Sequence, residues 1–177
     1  YTNCINFEHT ILLGGEHIDH ILSTNGFEIV GKEYYKDDHS VFYCAKKVGE
    51  NVSTTSLNGV KYTYEKQFND YIKSHLLDVD KINEQINNTN LPIYLFGAHV
   101  FSQYLISFGL QTDKIICLLD NDDSKWGKRL YGTNLIAKSP KILKDTGEGV
   151  IILRAGVYNE EIKNDIINNI NPNIKII

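Results

Sequence analysis

Apolar residues recur along this chain with two periods, one helical and one extended. In Gly15–Leu22, Ile18, Ile21 and Leu22 share one helical face, and Asn25-Gly26 ends the run as a left-handed C-terminal cap would. Phe27–Val30 and Ser40–Ala45 read as strands, with Lys36-Asp37-Asp38-His39 as turn residues between them. A helix and two antiparallel strands cannot bury their apolar faces alone, so a further body is expected to pack against them. Lys46 to Val60 then loses all period and is rich in polar and turn residues, which marks a boundary.

From Tyr62 to Asn88 the pattern predicts one long amphipathic helix. Tyr64, Phe68, Ile72, Leu76, Val79, Ile82 and Ile86 follow each other at three- and four-residue steps and form one stripe. It reads either as a connection between domains or as the first helix of the second one. Pro92–Gly97 is a buried-type strand, His99–Leu110 a helix, and Lys114–Asp120 a strand apolar enough to be covered on both faces. Gly149–Leu153 is a further strand, Glu160–Ile170 a helix closed by Pro172, and Ile174–Ile177 a last strand. Strands alternating with helices predict an α/β fold: a Rossmann-like, doubly wound, mostly parallel sheet. The expected segments are 1–47, a linker over 48–61, a connecting helix over 62–90, and a Rossmann-like domain over 91–177.

Composition narrows the function classes. The 177 residues are 42% apolar and 23% charged, ordinary globular usage, with a net charge of −4. That balance gives no electrostatic footprint for nucleic acid or for an anionic membrane. No apolar run approaches the ~20 residues of a membrane span, and no signal peptide is visible. Cys4, Cys44 and Cys117 are far apart and form no paired motif, so neither a disulfide framework nor a thiolate zinc site is expected. A reducing, cytoplasmic setting fits best. The N-x-S/T matches at Asn51 and Asn87 are weak in a chain so rich in Asn. The sequence contains no Met and begins at Tyr1, so a portion of a longer protein is expected.

Four places could carry chemistry. Gly97-Ala98-His99 follows a strand and precedes a helix, and Asp120 stands 23 residues beyond Gly97, where a ribose-binding acid belongs. The dinucleotide fingerprint is broken, however. His99 and Ser102 replace the second and third glycines, and an imidazole obstructs the backbone's approach to a pyrophosphate, so an NAD(P) enzyme is disfavoured. Asp120 to Thr133 is a polar loop at the carboxyl end of a strand, holding the single Trp126; it reads as a ligand loop or as an Asx-rich turn. Asn6-Phe7-Glu8-His9 places a carboxylate beside an imidazole, a pair suited to acid–base work. In a regular strand, though, neighbours point to opposite faces. In Glu16-His17 and Asp19-His20 the two His, three residues apart on a helix, could share a metal, but with no H-E-x-x-H motif and no nearby Cys they read as a solvated face. His39 and His75 carry no signal.

Five runs of residues bring a family into view: Tyr94–His99 (YLFGAH), Gly109-Leu110, Leu119–Leu135 (LDNDDSKWGKRLYGTNL), Ser139-Pro140 and Ile152–Ile162 (ILRAGVYNEEI). Together they resemble the C-terminal domain of sugar-nucleotide C-methyltransferases, which use S-adenosylmethionine (SAM). Asn6–His9 resembles that family's Tyr-His-Glu-His, with Asn6 standing in place of the Tyr, and Gly15–Lys47 resembles the end of its catalytic domain. The resemblance implies a SAM-dependent methyltransferase acting on a nucleotide-linked sugar. It places the SAM loop and the zinc-binding cysteines in an N-terminal part of the parent protein not included here, with no metal in this chain. It makes His9 a base or proton relay, with Glu8 orienting it or stabilising its charged form. It assigns substrate binding to Gly97, His99, Asp120, Asn121, Lys125, Arg154 and Tyr158, with the Arg154 guanidinium on the diphosphate. The alternative is a non-catalytic nucleotide or sugar-nucleotide binding module.

Overall fold

The computed structural model describes residues 13–35, 40–49, 56–58 and 60–177. They fall into two compact units, one reaching to Tyr71 and the other spanning Ile72–Ile177.

The first unit carries helix α1 (Gly15–Thr24) and an antiparallel hairpin of β1 (Phe27–Tyr35) and β2 (Ser40–Lys47). Gly26 takes φ +76°, the left-handed turn expected after α1. Both strands run longer than their apolar cores predict. The pairing jumps from Ile29↔Ala45 to Gly31↔Cys44, so Val30 is an extra, exposed residue in a bulge. Lys32 on β1 pairs with Asp19 on α1 at 3.3 Å, and the Tyr43 hydroxyl donates to the Gly15 carbonyl at 3.4 Å. His17 Nδ1 accepts from the Gly14 amide at 3.2 Å, a capping role. Among the described residues no group of His, Cys, Asp and Glu is arranged to hold a metal ion.

Helix α2 runs Val60–Asn87 as one unbroken element. Its apolar stripe does not behave uniformly. Val79, Ile82 and Ile86 are fully buried, while Phe68 and Leu76 are nearly half exposed.

The second unit is built on a five-stranded, all-parallel sheet in the order β5-β4-β3-β6-β7. Its strands are β3 (Ile93–Phe96), β4 (Ile115–Leu119), β5 (Ala137–Lys138), β6 (Gly149–Leu153) and β7 (Ile174–Ile176). Side chains alternate between two cores. Ile93, Leu95, Leu118, Val150 and Ile152 meet α2 and α3 (Val100–Ser107) on one face. Tyr94, Phe96, Cys117, Leu119, Ile151 and Leu153 meet Leu143 and Ile166 on the other. Leu143 lies in a 3₁₀ turn, Pro140–Asp145, and Ile166 begins a π turn, Ile166–Ile170, that continues α4 (Asn159–Asp165). Asn171 ties this layer together: its Nδ2 donates to the Leu143 and Thr146 carbonyls, both at 2.8 Å.

Two expectations are corrected. Strand β4 is not covered throughout: pairing skips from Ile93↔Ile115 to Tyr94↔Cys117, and the bypassed Ile116 turns outward, 57% exposed. His99 is not inside α3 but caps it in extended conformation. Among the described residues no helix is long and apolar enough to cross a membrane.

Candidate functional site

Chain order along the sheet reverses between β3 and β6. Open parallel sheets place ligands outside the carboxyl ends of the strands at such a point. The residues singled out from the sequence reach this edge from three strand ends.

At the end of β3 the chain turns at Gly97, which has φ +100° and donates its amide to the Leu119 carbonyl at 2.7 Å. The His99 imidazole folds back over this glycine. A Cβ on Gly97 would fall 2.1 Å from His99 Nε2, so both backbone and packing exclude any larger residue. His99 Nδ1 accepts from the Phe101 amide at 3.2 Å, which caps α3 and leaves the proton of the neutral ring on Nε2. Burial pushes the His99 pKa down; Asp120 opposes this and Lys125 adds to it. Ser102, buried at the third glycine's place, donates to the Gly97 carbonyl at 2.5 Å and fastens α3 to the turn.

Asp120 directly follows β4 and is 6% exposed. Its Oδ2 accepts from the Ala98 amide at 2.7 Å and from Lys125 Nζ at 3.1 Å, and its Oδ1 accepts from the Asp122 amide at 2.9 Å. Trp126 Nε1 donates to the Asp120 carbonyl at 2.7 Å. Asp122 caps the next turn by accepting from the Ser124 amide at 3.0 Å, and these contacts hold its exposed carboxyl below the usual range. Thus much of the acidic run is explained by loop architecture. Asn121, Trp126 and, in part, Lys125 still face solvent.

At the end of β6 the structure places Arg154 differently from the sequence reading. Its Nε and Nη2 grip the two oxygens of Asp78 on α2, at 3.0 and 3.1 Å, and its Nη1 donates to the Leu153 and Ile177 carbonyls. A guanidinium so neutralised is poorly placed to hold a diphosphate. Tyr158 is exposed, behind Gly156 at φ +60°. Gly97, His99, Asp120 and Lys125 therefore converge in one cluster, and Arg154 and Tyr158 belong to the neighbouring strand end. Glu8 and His9 lie outside the described residues.

The sequence reading missed a cleft of about 230 Å³ within the Ile72–Ile177 unit. His75 and Asp78 of α2, Phe101, Tyr104 and Phe108 beside α3, and Arg154 and Asn159 line it. The His75 ring stacks on Phe108 at 5.3 Å, and burial lowers its pKa, with Asp78 opposing. The available signal was the aromatic spacing Phe101, Tyr104, Phe108, which reads equally as core.

At this cluster the imidazole lies directly over Gly97, and Asp120 accepts from two backbone amides and from Lys125. Compared with known families and curated proteins, the chain matches no family model and no curated sequence.

Proposed function

We propose that this chain forms the sugar-nucleotide-binding side of a SAM-dependent methyltransferase acting on a nucleotide-linked sugar, with a Rossmann-like domain over the parallel sheet. The observation that carries this reading is the joining of the Gly97–His99 turn to the Asp120–Lys125 loop at the carboxyl ends of β3 and β4, beside the point where strand order reverses. The Asp120–Lys125 loop also lies in the run that resembles the family most specifically. Asp120 fixes the loop against the turn, and Lys125, paired with Asp120 at 3.1 Å, completes that junction at the rim. SAM belongs to another part of the parent protein. In this reading His9 is the base or proton relay for the proton beside the sugar's keto group, and Glu8 is its acid–base partner.

A second reading has its own support. The charged groups of the crevice are paired with one another, Asp120 with Lys125 and Asp78 with Arg154, which suits holding a ligand better than transforming it. The same domain could serve as a non-catalytic sugar-nucleotide binding module.

The single Trp126, bonded to Asp120, is a natural reporter. Titration with UDP- or dTDP-linked sugars should change its fluorescence saturably, and SAM should not. Tight SAM binding by this chain, with no response to any sugar nucleotide, would overturn the assignment.

A further inference from the structure

We infer that the β5 margin of the parallel sheet docks peripherally on an anionic lipid bilayer, through a cluster of cations and one aromatic tip. The chain-wide charge conceals this surface. Ser124–Lys144 holds six of the 18 basic residues and none of the 22 acidic ones. The rest of the chain carries 12 basic residues against 22 acidic. Charges are felt over ~8 Å at physiological salt, so a bilayer meets this local balance and not the net −4. Two of the six serve the loop already described: Lys125 pairs with Asp120, and Lys128 helps to hold the Asp122 carboxyl low. Arg129, Lys138, Lys141 and Lys144 are exposed and make no ion pair among the described residues.

Backbone pairing gathers these four on one side. After Trp126 the chain folds back on itself, with the Leu130 amide donating to the Leu135 carbonyl at 3.0 Å and the Ala137 amide to the Lys128 carbonyl at 2.9 Å. The two bonds flank Arg129 and Ile136, an antiparallel pair whose side chains lie close together because no bond joins them directly. Leu135 and Ala137 enter the core on the α2 side of the sheet, so alternation turns Ile136 and Lys138 to the opposite side. The Pro140–Asp145 turn packs Leu143 on that opposite side. Lys141 and Lys144, three residues apart in this 3₁₀ turn, stand one above the other.

Apolar exposure selects the partner. Tyr131, at the tip of the fold-back, is 88% exposed, and Ile136 beside Arg129 is 36% exposed. A phenol and an aliphatic group among cations suit the boundary between lipid headgroups and acyl chains. An acidic peptide or a nucleic-acid strand would answer the cations and leave the Tyr131 tip in water. Each basic residue near an anionic bilayer raises affinity about fivefold, so four give reversible binding several hundredfold above that for a neutral surface.

The test sediments the intact chain with two kinds of vesicle, phosphatidylcholine alone and phosphatidylcholine with phosphatidylglycerol in equal parts. The chain should bind the anionic vesicles, ignore the neutral ones, and be released as salt rises from ~0.1 M to ~1 M. Lys141→Glu with Lys144→Glu should weaken binding tenfold or more. Lys73→Glu with Lys81→Glu, the same charge change on exposed α2 positions, should alter it less than twofold. Tyr131→Ser should weaken binding severalfold without changing its salt dependence. Melting curves confirm that each variant is folded. No binding to anionic vesicles, equal binding to neutral ones, or equal losses in the two double variants would overturn the inference. Tighter binding of polyglutamate or of a single-stranded DNA oligonucleotide through Lys141 and Lys144 would also overturn it, in favour of that partner.

Discussion

Asp120 accepts at both oxygens, from two backbone amides and one ammonium, while almost wholly buried. Asp120→Asn keeps the shape but turns one acceptor into an NH₂ facing a donor. We expect a loss of about 2–4 kcal/mol, since an unmatched buried polar group and a broken buried pair are both costly. Urea unfolding reads this as a lower midpoint at unchanged slope, and a loss below ~0.5 kcal/mol would show that the carboxylate is not structural. The sequence made Asp120 conspicuous by its distance from Gly97. It could not say whether the carboxylate aims at a ligand or at the Ala98 amide, because both uses put an acid at the end of the same strand. Arg154 was opaque for a related reason: its partner Asp78 lies 76 positions earlier, and no local pattern links them.

Among the elements, helices and strands of four residues or more were legible because burial writes a period into them. Strand β6 runs Gly149–Leu153 as read, and β3 and β4 differ from their expected spans only at the ends. Strand β5, two residues long, leaves no period to read. Periodicity also marks a face without saying what covers it, and α2 is the clearest case. Its stripe repeats evenly, yet within the Ile72–Ile177 unit only Val79, Ile82 and Ile86 are covered by the sheet. Ile82→Ala should therefore cost about 2–5 kcal/mol, the range for a buried aliphatic replaced by Ala. Leu76→Ala, two stripe positions removed and 44% exposed, should stay within about 1 kcal/mol. Equal losses in parallel denaturation series would mean that the stripe is covered along its whole length.

For the whole molecule, the two histidines of the Ile72–Ile177 unit with resolved shifts make stability depend on pH in one direction. Burial lowers the pKa of both His75 and His99 below the ordinary value. An unfolded chain then binds protons that the folded one resists. Their contribution is complete above ~6.5, the unperturbed histidine value, and declines as pH falls through that value toward the folded ones. The melting temperature should fall between pH 7.5 and 5.5, before ordinary carboxylates titrate. His99→Asn keeps an acceptor for the Phe101 amide, because Asn is itself a good N-cap, but it removes the titration. The variant should melt with a shallower pH slope, whatever its absolute stability. Combining it with His75→Asn should flatten the slope further, because the two rings sit in different environments, one over Gly97 and one against Phe108. A double variant that keeps the full slope would place the pH sensitivity elsewhere. A protein that grows more stable on acidification would contradict the burial of both rings.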